Sequence, residues 1–204
     1  MVLYIIRHGQ TDWNLTFRLQ GQTDIPLNQC GIDLALLTGR GMKGLYIDRC
    51  ICSPLTRAKQ TAELVMEGRG ASLPMSIDER IREISFGDME GTSARNEEYM
   101  MPHPEKFNFL EEPDRYERPP HGENIPDVIA RTGDFLRSLE KEAGEDETIL
   151  ISSHGCAVRA LEYNIVPKEL CDFWSPGVPP NCSVAKAVYR SGVWTMEWQD
   201  RVFA

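Results

Sequence analysis

Three short apolar runs in this chain each break off at a polar cluster. Val2–Ile6 runs into Arg7-His8-Gly9, Cys50-Ile51-Cys52 into Ser53-Pro54-Leu55-Thr56-Arg57, and Ile149-Leu150-Ile151-Ser152 into Ser153-His154-Gly155. Short continuous apolar runs suit strands buried on both faces, and such strands belong to parallel sheets covered by helices on both sides. The intervening segments fit that arrangement. Cys30–Arg40 has Leu34, Leu37 and Met42 near one helical face. Ser53 as N-cap and Pro54 at the first helical position open a helix carrying Arg57, Ala58, Ala62, Leu64 and Val65. Asp127–Glu142 repeats apolar residues with helical period at Val128, Ile129, Phe135, Leu136 and Leu139, and Gly155–Asn164 reads as the helix after the third run. Ser76–Ile77 is a further short strand, and Ser183–Tyr189 with Val193–Trp198 forms a hairpin turning at Arg190-Ser191-Gly192. The expected fold is a three-layer α/β/α domain over residues 1–204 with a mostly parallel central sheet. Segment 92–124 is rich in Pro, Glu and Met without a clean period, and is expected to be a partly helical insertion covering a site.

Composition narrows the partners. A net charge of −9 argues against a general nucleic-acid or anionic-membrane binder, though a few arginines can still set the potential of one cleft. No stretch approaches the length of a transmembrane helix, and the N-terminal apolar run is too short for a secretory signal, so a cytoplasmic protein is expected. The six cysteines are scattered with no Cys-x-x-Cys pair, and read as reduced thiols serving mainly as small core residues.

In open α/β sheets a ligand lies beyond the carboxyl ends of the strands. The three polar clusters are therefore expected to meet in one crevice, bringing two histidines and two arginines together near helix N-termini. Arginine forks and helix N-termini both bind phosphate. Arg7, Arg57 and His154 can neutralise phosphate oxygens and hold phosphorus in line with a nitrogen of His8, and the flanking arginines disfavour protonation of that ring. A proton must reach the leaving oxygen, for which Glu83 is the candidate. Asp88 and Glu90 compete with it in Arg82-Glu83-Ile84-Ser85-Phe86-Gly87-Asp88-Met89-Glu90-Gly91. The close His-x-x-x-His spacing of a helical metal pair is absent.

These motifs resemble those of the histidine phosphatase superfamily, whose fold is shared by cofactor-dependent phosphoglycerate mutases and many phosphomonoesterases. The likeness is carried by Arg7-His8-Gly9-Gln10-Thr11-Asp12-Trp13-Asn14, Gln20-Gly21-Gln22-Thr23-Asp24-Ile25-Pro26-Leu27, Ser53–Ala62, His121-Gly122-Glu123-Asn124 and Ser153-His154-Gly155. The resemblance implies that His8 is the phosphorylated nucleophile and Glu83 the proton donor. It places Arg7, Arg57 and His154 in the phosphate pocket, with Asn14, Gln20, Gly21 and Gly155 contacting phosphate. Gln20 resembles phosphatases, where mutases more often have threonine. Met89 replaces a common tryptophan and Asn124 the usual serine or arginine, and both could alter substrate fit. The implied activity is that of a histidine acid phosphatase-type phosphoric monoester hydrolase, with no metal or organic cofactor and a small-molecule phosphate monoester as partner. A phosphoglycerate mutase and a non-catalytic phosphate-binding module are the alternatives.

Beside these candidates stand plainer residues. His103 and His121 read as surface loop residues, Arg115 and Arg118 as surface ion-pair partners, and Trp174, Trp194 and Trp198 as core or C-terminal sheet residues. The Pro179–Ser183 turn reads as structural, bordering the pocket at most.

Overall fold

The computed structural model describes residues 1–93 and 109–203. Strands β1 (Val2–Arg7), β2 (Arg49–Cys52), β3 (Met75–Ile77), β4 (Thr148–Ser153), β5 (Val184–Arg190) and β6 (Val193–Arg201) form one sheet in the order β3-β2-β4-β1-β5-β6. Neighbours among β3, β2, β4 and β1 run parallel, whereas β5 is antiparallel to β1 and β6 to β5. The mostly parallel sheet expected from the apolar runs is therefore present, with the C-terminal hairpin added at one edge. All of β4 and the middle of β1 are buried, as central strands require, while β3 is exposed at the other edge.

Side chains alternate across the sheet and so build two cores. Leu3, Ile5, Ile149 and Ile151 face Phe135 and Leu139 of α4 (Ile125–Glu142) and Leu161 of α5 (Gly155–Ile165). Tyr4, Ile6, Cys50 and Leu150 face the opposite layer, where Ala35 belongs to α2 (Gln29–Gly41) and Val65 to α3 (Thr56–Arg69). A short helix, α1 (Asp12–Leu15), follows β1.

Local readings change in three places. Helix α2 turns Gly31, Ala35, Thr38 and Gly39 inward and leaves Leu37 41% exposed. The reason is close backbone packing: a Cβ at Gly39 would strike the Val65 carbonyl of α3. Helix α3 starts at Thr56, not after Ser53, and its N-cap residue Leu55 makes no side-chain cap bond. Asp24 caps it from the segment between α1 and α2, accepting from Thr56 N and Oγ1 at 2.7 Å each. Cys50, Cys52, Cys156 and Cys182 are buried as expected, but Cys30 and Cys171 are exposed. Of the expected insertion 92–124, residues 94–108 lie outside the described residues; its C-terminal part contains a 3-10 turn at Pro113–Arg115.

The strand register aligns the three polar clusters. Arg7 is level with Ser153 and Ser152 with Cys52, so β1, β4 and β2 end along one line. Because β5 is antiparallel, its entry loop reaches the same edge, where Arg7 N donates to Ser183 O (3.1 Å).

Candidate active site

His8 leaves the end of β1 with its backbone N–H bonded to Ser153 O of β4 (2.9 Å). The side chain is only 3% exposed. Its Nδ1 lies 2.7 Å from its neighbour's carbonyl, Gly9 O. A carbonyl only accepts, so Nδ1 carries the hydrogen and the lone pair falls on Nε2. Burial, then Arg57 and Arg7, hold the ring well below the ordinary imidazole value, against a smaller opposing effect of the Gly9 bond. The result is a neutral imidazole with its basic nitrogen fixed by the backbone.

Two guanidiniums flank it. Arg7 sends Nη1 to Pro179 O, in the loop before β5. Arg57, in the first turn of α3 and fully buried, donates to Gly21 O (2.6 Å) and Thr23 O (2.9 Å). Burial lowers Arg57 to about 10, opposed by Glu83, Asp24 and Glu90, so it remains charged at neutral pH. The Nε–H groups of both arginines are buried without a partner, as are Gln20 Oε1 and His154 Nδ1. A buried unpaired donor costs free energy unless a ligand meets it. Both arginines, with His8, Asn14 and Gln20, line a cavity of about 120 Å³. A cavity lined by two buried guanidiniums suits an anion.

His154 ends β4 and caps α5. Its Nε2 is 2.7 Å from Ser53 Oγ. The ring stands 5.2 Å from His8, centroid to centroid, and is wholly buried behind it instead of forming cavity wall. Burial, then Arg57 and His8, hold it too well below the usual imidazole value.

Of the three competing carboxylates, the fold puts Glu83 on the cavity wall. Its Oε1 accepts from Ile84 N (3.0 Å), Cys156 N (3.1 Å) and Ala157 N (3.2 Å), which pins it at the start of α5. Its Oε2 has one long bond, from Cys156 N at 3.3 Å. Gly155 leaves room between this oxygen and Arg7: a Cβ there would lie 3.6 Å from Glu83 Oε2 and 3.8 Å from Arg7 Nε. Glu90 is consumed by loop donors, accepting from Gln22 N (2.8 Å), Thr23 N (2.7 Å) and Phe86 N (3.2 Å). Asp88 is exposed and pairs with His121 at 3.0 Å.

Asn14 Oδ1 accepts from Thr11 N (3.0 Å), an arrangement that turns its NH₂ away from Thr11. Gly21 adopts a φ of +52°, which glycine permits without strain, and offers its carbonyl to Arg57. Around the rest of the wall stand Leu19, Ile84, Phe86, Phe109, Trp174 and Val178, with Arg18 at the rim. Trp174 is thus a cavity residue as well as a core one.

Several supporting residues carry no local sequence signal. Asn181 Nδ2 donates to His8 O (3.0 Å), so the Pro179–Ser183 turn is part of the site's frame. Arg131 of α4 gathers the Glu83 loop, donating to Arg80 O and Arg82 O (2.7 Å each) and to Glu83 O (2.9 Å), while pairing with Glu123. Only an arginine aligned in helical register with Glu123 hints at this. Asn124 caps α4 in a reciprocal capping box with Asp127, and Met89 is packed in the core beside the cavity. Arg115 pairs with Glu112 (3.0 Å) and Arg118 with Asp127 (2.7 Å), as the surface reading expects. His121 is exposed, and His103 lies outside the described residues. Among the described residues no group of three His, Cys, Asp or Glu could hold a metal ion, and no helix is long and apolar enough to cross a membrane.

The sequence profile of the histidine phosphatase superfamily (branch 1) matches residues 3–201. The uncharacterized phosphatase PhoE of Bacillus subtilis (strain 168) is 36% identical over 157 residues, covering 77% of this chain and 73% of that protein. A 2,3-bisphosphoglycerate-dependent phosphoglycerate mutase of Methylobacterium sp. (strain 4-46) is 33% identical over 164 residues, covering 78% of each. The solved structure of Bacillus stearothermophilus YhfR superposes with a TM-score of 0.89 at 32% identity, covering 98% of this chain and 97% of its own.

Proposed function

The chain belongs to the histidine phosphatase superfamily, branch 1, and from that premise we propose that it hydrolyses small-molecule phosphate monoesters through a phosphohistidine intermediate. The observation that carries this reading is the neutral His8, its lone pair on Nε2, beside two charged arginines whose Nε–H groups are buried without partners.

In the first step Nε2 of His8 attacks phosphorus as the bond to the ester oxygen breaks. Glu83 gives its proton to the departing oxygen, so the alcohol leaves neutral. Arg7 and Arg57 meet the equatorial oxygens, where charge concentrates in the transition state. The Nδ1–H bond to Gly9 O then carries part of the positive charge that develops on the imidazole. In the second step water attacks phosphorus from the side the alcohol left, Glu83 takes its proton, and the P–N bond breaks to restore His8. Asn14, Gln20 and Gly21 border the phosphate, and His154 backs the nucleophile.

The mutase relative supports a second reading, in which an alcohol replaces water as the acceptor. The walls favour hydrolysis: among the described residues Arg18 is the one cation that lines the cavity besides Arg7 and Arg57, and apart from His8, Asn14, Gln20 and Glu83 the lining is largely apolar, whereas a phosphoglycerate carboxylate calls for further cations. The test is phosphate release from a panel of metabolite monoesters, with His8→Ala as control. Turnover and covalent phosphate incorporation are expected in the wild-type protein and neither in the variant. Undiminished turnover in His8→Ala overturns the mechanism. Conversion of 3- to 2-phosphoglycerate, stimulated by 2,3-bisphosphoglycerate and faster than phosphate release, replaces the phosphatase reading with the mutase one.

A further inference from the structure

Arg159 lies in the second turn of α5 and is 1% exposed, yet it does not line the cavity. Its three nitrogens each have a partner from a different place. Nε donates to Gly177 O (2.8 Å), Nη1 to Glu162 Oε2 on the same helix (2.6 Å), and Nη2 to Asp200 Oδ2 at the end of β6 (2.6 Å). Such a cluster is a poor source of stability, because desolvating the ions costs much of what their attraction returns. Asp200 Oδ1 is moreover buried without a partner. What the cluster does supply is a rigid anchor for one carbonyl.

That carbonyl sits in the connection from α5 to β5, which frames the site from outside. Trp174 and Val178 of this connection line the cavity, Pro179 O accepts from Arg7 Nη1, Asn181 Nδ2 donates to His8 O, and Cys182 N donates to Arg7 O (3.0 Å). Gly177 has a φ of +80° and closes a turn on Trp174 O (2.6 Å). Nearby, Lys168 Nζ makes an exposed contact with Ser175 Oγ at 3.3 Å. Arg159 thus supplies a buried, hydrogen-bonded grip on the bend at Gly177, which lies one residue before Val178 and two before Pro179, whose carbonyl accepts from Arg7.

We propose that Arg159 is a positioning residue: by holding Gly177 it sets Pro179 O, and through it the guanidinium of Arg7 that faces phosphate. The kinetic side of this proposal rests on the phosphatase reading, while its binding side stands without turnover. Lysine at this position keeps the charge beside Glu162 and Asp200 but has one nitrogen, which cannot also reach Gly177 O. Loss of a charge-assisted bond predicts a roughly tenfold effect.

The experiment compares wild type, Arg159→Lys and Asp200→Asn. It reads the dissociation constant of inorganic phosphate by calorimetry, KM and kcat on p-nitrophenyl phosphate, and the urea midpoint. For Arg159→Lys, phosphate binding weaker and KM higher by roughly tenfold are expected, with kcat changed less than about threefold. For Asp200→Asn, which leaves the bond to Gly177 in place, a lower urea midpoint is expected with phosphate affinity within about twofold of wild type. Faster hydrogen exchange at Gly177–Cys182 in Arg159→Lys, with α5 unchanged, supports the same route. Wild-type phosphate affinity in Arg159→Lys overturns the proposal. So does an equal loss of affinity in both variants, since the effect then follows stability alone. If lysine is not tolerated, Arg159→Gln is held to the same outcomes. A wild-type protein that hydrolyses no ester sinks the phosphatase reading, and the phosphate affinities still decide the role of Arg159.

Discussion

Two buried histidines held neutral make a quantitative demand on stability. His8 and His154 are both held well below the ordinary value of 6.5 by burial first and by arginines second. In the unfolded chain both titrate near that ordinary value. Between the two ranges the unfolded state binds more protons than the folded one, so unfolding becomes easier as pH falls. The contribution of a ring that stays neutral when folded is RT ln(1 + 10^(pKa − pH)). At about pH 5.5 this is on the order of 1 kcal/mol per histidine, and near pH 7.5 it is close to zero. The pair should therefore cost on the order of 2 kcal/mol over that interval.

Urea unfolding at the two pH values, in buffer free of phosphate, measures the fall directly. His8→Asn and His154→Asn isolate each ring, because each variant is compared with itself and its own change in basal stability cancels. Each should show a fall smaller than wild type by on the order of 1 kcal/mol. A fall in His8→Asn equal to that of wild type would refute the reasoning. It would mean that folded His8 accepts a proton as readily as an unfolded one, and that the arginines and burial do not keep it nucleophilic.

Three substitutions probe the geometry. Gly155→Ala puts a methyl group 3.6 Å from Glu83 Oε2 and 3.8 Å from Arg7 Nε, so kcat/KM should fall about tenfold with the urea midpoint unchanged or slightly raised. Gly39→Ala drives a Cβ into the Val65 carbonyl, a backbone atom that cannot swing away, and should cost about 2 kcal/mol or more in urea unfolding. Asn124→Ala removes the cap of α4 and should cost about 1 kcal/mol while leaving KM unchanged, since Asn124 Oδ1 accepts from Asp127 N (3.0 Å) and takes no part in the cavity wall.

The strands and their polar ends were legible because both signals are local. An apolar run marks β1 and β4 without knowledge of their neighbours, and the polar residue after each run marks its end. The inward face of α2 was not legible in the same way. Leucine is the stronger local signal, but Gly31 and Gly39 face inward because neighbouring backbones need the space. The choice among Glu83, Asp88 and Glu90 was likewise open, since all three lie in one turn-rich stretch. Backbone N–H groups at the start of α5, more than 70 residues away, hold the Glu83 carboxylate at the cavity, while Arg131 anchors its backbone from 48 residues away. Asn181 meets His8 across 173 residues and Arg159 meets Asp200 across 41, distances over which hydrophobic period carries no information.

By itself, the sequence determined an α/β chain whose strand ends bring arginines and histidines to one edge. That follows from side-chain period and from the absence of polar residues within the runs. Only the tertiary structure decided the chemical state of those groups. Burial of His8 to 3% exposure, the Gly9 carbonyl at its Nδ1, and the unmet Nε–H groups of Arg7 and Arg57 depend on atoms brought in from distant segments. Desolvation and hydrogen bonding act over a few ångströms in space, and the folded chain alone sets which residues stand that close.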